Sequence, residues 1–229
     1  MSVAENFKAV QNRIAAAARR AGRDPSTIRL VTVTKTVDLD RIREAAAAGA
    51  VVLGENRVQE AKEKIEALGR IASWHLIGRL QTNKAKYAVK LFDLIHSVDS
   101  LELAKEIDKQ AAKNGKVQDV LIEVSIAGEA VKAGVSIGDT VRLVKEAAGL
   151  NHIRVLGLMT MPPLSNDPED SRPYFRRLRD LAHAVRKEGI AGISMNELSM
   201  GMSGDFEVAI EEGATIVRIG SALFEGIDS

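Results

Sequence analysis

Eight short apolar segments recur along the chain, and stretches with the spacing of amphipathic helices lie between them. The segments are rich in β-branched residues or leucine, a composition that favours strands. Their sequences are TIRLVTVTK, AVVLGE, SWHLIGRL, DLIHSVD, DVLIEVSIA, IRVLGLMTM, ISMNELSMG and ATIVRIGSALF. Because the apolar character is continuous rather than alternating, the segments predict strands buried on both faces, as in a parallel sheet.

The stretches between these segments carry helical patterns. In residues 56–69, Val58, Ala61, Ile65 and Leu68 share one face, and charged residues occupy the other. The predicted helices span about residues 3–22, 38–49, 56–69, 100–115, 169–189 and 204–213. Strand followed by helix, eight times over, predicts an α/β protein with a closed (β/α)₈ TIM barrel and one extra N-terminal helix. An open doubly wound sheet is the alternative.

Composition narrows the class of protein. Hydrophobic residues make up 45% of the 229 residues, and the formal net charge is +1. With this charge balance and only 3% aromatic residues, we expect no nucleic-acid binding. The chain has no cysteine, no continuous apolar signal-peptide core and no run long enough to span a membrane. We therefore expect one cytoplasmic domain over residues 1–229, without membrane contact.

One lysine lies on the apolar face of the first predicted strand. Alternation along LVTVTKT puts Val31, Val33 and Lys35 on the same face. A lysine at a strand end usually packs its stem on apolar surface and extends its ammonium into water. The other interpretation is an amine held in a pocket for Schiff-base chemistry. The barrel favours the second interpretation, because Lys35 would lie at the C-terminal ends of the strands, where barrel active sites are built.

Polar residues also follow other predicted strands. Glu55 and Asn56 end the second segment, His75 lies in the third, and Arg218 lies in the eighth. Singly, each is most simply a satisfied polar residue at a strand terminus. Jointly, several of them predict the rim of one site, formed by Lys35, Asn56, Ser203, Arg218 and Gly220.

The loops after the seventh and eighth strands predict a phosphate site. These loops often hold phosphate in barrels, through backbone N–H groups at a helix N-terminus. Here the seventh strand leads into Gly201, Ser203 and Gly204, and the eighth leads into Gly220 and Ser221. Glycine lets backbone amides approach an anion, and serine adds a hydroxyl donor. Ordinary turn chemistry is the alternative, because Gly and Ser are common in all turns.

Other chemistries lack a motif. The sequence has no G-x-G-x-x-G after a strand, no Walker A loop and no H-E-x-x-H. The histidines His75, His96, His152 and His183 show no metal-ligand spacing. We expect His152 and His183 at the surface, whereas His75 and His96 either line the site or are satisfied in the core.

A strand-end lysine beside a phosphate site suits an aldehyde that carries a phosphate, and pyridoxal 5′-phosphate is the obvious candidate. The chain resembles the pyridoxal phosphate homeostasis proteins (the YggS/PROSC family), whose fold resembles the alanine racemase N-terminal barrel, fold type III of pyridoxal phosphate proteins. The resemblance covers essentially the whole chain. It is carried by the order and spacing of VTVTKT, LGENRVQE, WHLIGRLQTNK, HSVDS, GLMTM and ELSMGMSGDFEVAIEEGATIVRIG.

The resemblance implies roles for the residues of the predicted rim. Lys35 would form an internal aldimine with pyridoxal phosphate, Arg218 would face the pyridine nitrogen, and Asn56 would lie near the ring. The phosphate would be held by Ser203, Gly220 and Ser221. Lys132, in EAVKAG, matches a further family lysine of undetermined role. One departure is Glu225 in LFEG, which lies beyond the phosphate residues.

Two functions remain open from the sequence. The resemblance favours storage, buffering or delivery of the cofactor, with apo forms of pyridoxal phosphate enzymes as candidate recipients. The alternative is a racemase-like enzyme. An arginine at the pyridine nitrogen would weaken the ring as an electron sink, although alanine racemase has one too. That racemase also has a second domain that supplies a catalytic tyrosine, whereas only EGIDS follows the eighth strand here.

The remaining expectations concern residues and assembly. Tyr87 and Tyr174 are expected to pack on helices, and no residue suggests itself as a second acid–base group opposite Lys35. A barrel isomerase acting on a phosphorylated metabolite is a third interpretation, but it lacks a recognisable acid and base. We expect a monomer, a point on which the sequence carries no signal.

Overall fold

The computed structural model describes residues 2–128 and 133–226. The strands are β1 (Arg29–Val33), β2 (Val52–Glu55), β3 (Ser73–Leu76), β4 (Leu94–Val98), β5 (Gln118–Ser125), β6 (Val135–Ser136), β7 (Ile153–Met159), β8 (Glu197–Ser199) and β9 (Ile216–Ile219). The α-helices are α1 (Val3–Arg20), α2 (Leu39–Ala47), α3 (Val58–Leu68), α4 (Ala85–Leu91), α5 (Leu101–Lys113), α6 (Ile137–Ala148), α7 (Arg172–Lys187), α8 (Phe206–Glu211) and α9 (Ser221–Phe224).

Eight of the strands close into a parallel barrel. Their order around the ring is β1, β2, β3, β4, β5, β7, β8, β9, and β9 pairs back onto β1. The register places Thr32 beside Leu53 on one side and beside Ile219 on the other. The two-residue strand β6 pairs with the end of β5 outside the ring. The predicted (β/α)₈ barrel is confirmed, and the open doubly wound alternative is wrong.

The barrel separates two apolar layers. Val31 and Val33 of β1 belong to a small inner cluster with residues of other strands. Its members are Val31, Val33, Val52, Ile77, Leu94, Leu121, Met159 and Ile216. The larger core lies between the outer strand faces and the helices, and it includes Leu53, Trp74, Ile95 and Phe175. The face predicted for Val31 and Val33 is therefore the barrel interior.

The extra N-terminal helix completes the outer layer. A capping box starts α1: the Ser2 hydroxyl accepts from the Glu5 amide, and the Glu5 carboxylate accepts from the Ser2 amide. The helix buries Phe7, Val10 and Ile14, and it contacts α2, α8 and α9. Because α9 has only four residues, α1 covers a part of the barrel that the last helix is too short to cover.

Some predicted boundaries change. The eighth predicted strand runs to residue 224, but β9 ends at Ile219, and Ser221–Phe224 form a helix. Helices α4 and α6 fill gaps for which the sequence analysis gave no bounds. Among the described helices, none is both long and apolar enough to cross a bilayer.

Candidate functional site

A cavity of about 590 Å³ opens at the C-terminal ends of the barrel strands. All six residues that the sequence proposed for cofactor binding line it: Lys35, Asn56, Ser203, Arg218, Gly220 and Ser221. Part of its rim is the loop after β7, in which Met161 and Leu164 are exposed. The structure thus brings together residues from β1, β2, β8 and β9 that are far apart in sequence.

Lys35 lies just beyond β1 in a tight turn. The Val37 amide donates to the Thr34 carbonyl at 3.0 Å, which makes Lys35 and Thr36 the two central residues of the turn. Thr36 has φ of 60°, a left-handed conformation that is uncommon for a β-branched residue. Lys35 is exposed and lines the cavity, so it follows the strand rather than continuing its buried face.

A buried charge cluster lies behind this turn. Glu55 is fully buried, and its Oε1 accepts from Thr34 Oγ1 at 2.6 Å and from Lys64 Nζ at 2.7 Å. Lys64 also donates to the Thr34 carbonyl at 2.6 Å. The sequence placed Glu55 among the polar strand ends, but only its neighbour Asn56 lines the cavity. We call Lys35 and its support by Thr34, Glu55 and Lys64 the amine side of the site.

A second part of the cavity wall consists of Ser203, Arg218, Gly220 and Ser221, which we call the anion side. Ser203 Oγ accepts from the amides of Gly220, at 3.4 Å, and Ala222, at 3.3 Å. Two backbone N–H groups therefore converge on one point at the cavity wall. Gly220 packs closely on β1, since a Cβ there would lie 3.2 Å from Val33 Cβ.

The loop after β8 is shaped by a second glycine, Gly201. Gly201 has φ of +91°, and a Cβ at this position would lie 2.5 Å from Ala209 Cβ. No other residue fits without a shift of α8, because the clash is with a helix side chain close to its backbone. Asp205 Oδ1 accepts from the Met202 amide at 2.7 Å, which closes the loop that carries Ser203.

Arg218 forms the floor of the anion side. Its side chain is buried, and it donates to Ser199 Oγ at 2.6 Å and to the Thr160 carbonyl at 3.0 Å. Burial lowers the pKa of Arg218 to about 10, so the guanidinium remains charged at neutral pH. Sequence reasoning found Arg218 but missed Ser199 and Thr160, because a hydroxyl or carbonyl in an apolar strand carries no distinguishing pattern.

Two histidines extend this network into the barrel. His96 Nδ1 lies 2.9 Å from Ser199 Oγ, and His96 Nε2 lies 3.0 Å from His75 Nδ1. Because Arg218 donates to Ser199, the serine proton is directed to His96, and His96 in turn donates to His75. Burial lowers the pKa of His75 to about 3 and that of His96 well below its usual value. Both rings are neutral at physiological pH and support Arg218 without lining the cavity.

Glu123 is a buried carboxyl that sequence reasoning missed. Burial raises its pKa to about 7, with a further rise from Asp99 and opposing effects of Arg218 and Arg79. It is 3% exposed and lies on β5, inside the segment DVLIEVSIA. An acid in the middle of a largely apolar strand was the available signal for it.

The remaining candidate residues lie elsewhere. His183 is exposed and His152 half-buried, as expected. Tyr174 packs against the core, whereas Tyr87 is exposed, so the packing expected for Tyr87 is wrong. Lys132 lies outside the described residues. Within residues 2–128 and 133–226, no group of three or more His, Asp or Glu side chains could hold a metal ion.

Comparisons with known proteins identify the family. The model of the alanine racemase N-terminal domain matches residues 6–227. A pyridoxal phosphate homeostasis protein of Aquifex aeolicus is 51% identical, over 98% of both chains. This chain belongs to the pyridoxal phosphate homeostasis protein family. The membership confirms the resemblance read from the sequence blocks, and it extends to the Pseudomonas aeruginosa protein of that name, 39% identical over 99% of this chain and 96% of the relative.

A solved structure agrees with this family and fold. PipY of Synechococcus elongatus, whose structure has pyridoxal phosphate bound, is 34% identical. It superposes with a TM-score of 0.86 and covers 97% of this chain and all of its own. The residues present here fit that cofactor chemically: a primary amine, two convergent backbone N–H groups and a buried guanidinium surround one cavity.

Proposed function

We propose that this protein binds pyridoxal 5′-phosphate at the barrel mouth and serves in its homeostasis, by storing, buffering or delivering it. One observation carries the proposal: an amine side and an anion side line the same cavity of about 590 Å³. A phosphorylated aldehyde needs both sides at once. The naming of close relatives and the cofactor in PipY support the same assignment.

Lys35 is the proposed covalent partner. When bound, the cofactor supplies an aldehyde, and condensation with a primary amine forms a C=N bond and releases water. Lys35 is suited to this because its side chain is exposed to the cavity, whereas the Lys64 amine is engaged by Thr34 and Glu55.

The anion side is proposed to hold the phosphate. The amides of Gly220 and Ala222 donate to Ser203 Oγ. When the Ser203 hydroxyl rotates, the same two amides can also donate to phosphate oxygens. The hydroxyls of Ser203 and Ser221 add two further donors at the cavity wall. Hydrogen bonds to charged groups are the stronger kind, so this wall supplies selectivity for a phosphorylated ligand.

Arg218 and Asn56 are proposed to contact the ring. Both line the same cavity as Lys35. Arg218 is held by Ser199 and Thr160, and it presents a donor that stays charged to the pyridine nitrogen. A nitrogen that accepts from a guanidinium stays unprotonated, which disfavours carbanion chemistry and suits a protein that keeps its cofactor intact.

A racemase-like enzyme is the second candidate function, favoured by the match to the alanine racemase N-terminal domain. Racemisation needs proton removal on one face and return on the other. Apart from Lys35, the described cavity-lining residues include the carboxylates Asp38, Asp205 and Glu225, and Asp205 is engaged by the Met202 amide. We therefore propose the carrier function first. We also propose that residues 1–229 form one domain, that the protein is a monomer in the cytoplasm, and that apo enzymes receive the cofactor.

The test combines peptide mapping of the covalent label with a measurement of α-proton exchange. The purified protein is incubated with pyridoxal phosphate, reduced with borohydride and digested, and the pyridoxyl group should be found on Lys35. Incubation of the loaded protein with L- and D-amino acids in deuterated water should give no α-proton exchange at an enzymatic rate. Label on another lysine would refute the site, and rapid exchange that depends on Lys35 would favour the racemase-like function.

A further inference from the structure

Two lysines on the amine side lie in opposite environments. The Lys35 side chain is exposed to the cavity, whereas the Lys64 side chain is only 12% exposed and lies behind the turn. Lys64 belongs to α3, on the outer side of the barrel wall, and its ammonium reaches the Thr34 carbonyl at 2.6 Å. It therefore contacts the residue next to Lys35 without facing the cavity.

Thr34 is held at each of its polar atoms. Its amide donates to the Gly54 carbonyl at 2.9 Å, and its hydroxyl donates to Glu55 Oε1 at 2.6 Å. Its carbonyl accepts both from the Lys64 ammonium and from the Val37 amide that closes the turn. The residue that precedes Lys35 therefore has a fixed position and a fixed peptide orientation.

The turn needs such support because its next residue is strained. A left-handed conformation is unfavourable for a non-glycine residue and persists only where the surroundings impose it. Thr36 has this conformation directly after Lys35. A charge-assisted hydrogen bond from Lys64 to the turn's own carbonyl opposes relaxation of the turn.

The ion pair is poorly explained as a device for stability alone. Glu55 is fully buried, and its Oε2 has no hydrogen-bond partner among the described residues. Buried ion pairs are often no better for stability than apolar residues of similar size. The pair fixes the orientation of the Thr34 carbonyl, because Lys64 donates to that carbonyl and Glu55 accepts from the Thr34 hydroxyl.

We propose that Lys64 is a positioning residue for Lys35, acting through the Thr34 carbonyl, with Glu55 orienting the Lys64 ammonium. The inference rests on the proposed function of Lys35 as the cofactor's covalent partner. Lys64 holds the turn so that the Lys35 amine meets an aldehyde whose phosphate is already bound at the anion side. A misplacement of about 1 Å can slow such a reaction by about 100-fold.

The experiment compares Lys64→Met, Lys64→Arg and the control Lys62→Met. Lys62 lies on the same helix and makes only an exposed contact with Glu66, at 3.6 Å. The rate of borohydride-trapped labelling of Lys35 by pyridoxal phosphate should fall about 10–100-fold in Lys64→Met, because the amine is misplaced. Lys64→Arg should recover most of the rate, and Lys62→Met should match the wild type.

Two further readouts separate positioning from general destabilisation. Competition by inorganic phosphate against loading should be unchanged in Lys64→Met, because the anion side is untouched. Amide hydrogen exchange of Val37, measured without cofactor, should accelerate in Lys64→Met but not in Lys62→Met. If Lys64→Met does not fold, the Glu55→Gln/Lys64→Met variant removes both buried charges and is tested in the same way.

The outcomes distinguish this inference from the proposed function. Labelling of Lys35 at the wild-type rate in folded Lys64→Met, or Val37 exchange that does not change, would overturn the positioning role while leaving the cofactor site intact. Absence of label on Lys35 in the wild type would instead overturn the proposed function, and the Val37 exchange would still decide whether Lys64 holds the turn.

Discussion

The two sides of the cavity achieve fixed geometry by different means. On the amine side the contacting group is a long, exposed side chain, and the rigidity lies behind it in Thr34, Glu55 and Lys64. On the anion side the contacting groups include backbone amides, fixed by close packing of Gly220 on β1. Under the proposed function, a residue that forms and breaks a bond keeps its freedom, whereas groups that only hold a charge are built into the backbone.

The largest expected effect comes from removing the amine. Lys35→Ala should abolish the bound chromophore and the borohydride-trapped label, because no other described cavity-lining residue is a lysine. Lys62→Ala serves as the matched control, since Lys62 lies on the exposed face of α3. The absorbance spectrum after gel filtration measures the outcome. An unchanged spectrum in Lys35→Ala would mean that the amine side is not the covalent site.

The next effect concerns the pH dependence of stability that comes from the buried Glu123 on β5. Burial raises the pKa of Glu123 from its usual 4.5 to about 7, so between these pH values the folded state keeps a proton that the unfolded state has lost. The contribution of Glu123 to the free energy of unfolding therefore declines by up to about 3 kcal/mol as pH rises through that window.

Glu123→Gln removes this decline, and its free energy of unfolding should exceed that of the wild type at pH 8 by more than at pH 5. Urea unfolding at both pH values measures the difference. His75 and His96 have lowered pKa values and destabilise the fold as pH falls below 6.5, the opposite direction. Both histidines are present in the variant and in the wild type, so comparing the two proteins at each pH cancels the histidine contribution. A constant difference between the two pH values would contradict the prediction.

Removing one hydroxyl should weaken the anion side selectively. Ser203→Ala should reduce pyridoxal phosphate retention by about 1.5–3 kcal/mol, the usual contribution of a hydrogen bond to a charged group. Loading with pyridoxal, which lacks the phosphate, should be unaffected, since the amine side is intact. Equilibrium dialysis with both compounds measures the two affinities, and an equal loss for both would show that Ser203 does not contact the phosphate.

The smallest effect should come from Glu225. It was read as lying beyond the phosphate residues, yet it also lines the cavity. An exposed carboxylate near a bound phosphate repels it weakly through solvent, so Glu225→Gln should tighten binding by a few tenths of a kcal/mol, roughly the size of an exposed ion-pair effect. The gain should vanish in high salt. Weaker binding in the variant would indicate that the Glu225 carboxylate instead accepts a hydrogen bond that orients a ligand-contacting group.

The sequence predicted the parts of this molecule that have a local pattern. Eight apolar segments gave the barrel, and glycines and serines after the last two strands gave the anion side. The support residues were missed, because Lys64 looks like any charged residue on an amphipathic helix, and Ser199 like any small residue in a strand. Their importance comes from contacts across 30 residues for Lys64 and 19 residues for Ser199, which one-dimensional spacing does not encode.

The N-terminal helix contacts segments that lie far along the chain. Asn6 on α1 donates to the Leu223 carbonyl at 3.1 Å, and Arg13 and Arg20 pair with Glu207 and Glu211 of α8. Helix α1 therefore meets these partners only after a further stretch of about 200 residues has been synthesised. Ring closure by β9 has the same requirement, since its neighbour β1 is made early. A nascent chain can therefore complete the cavity wall only after β9 and the loop that follows it have been synthesised.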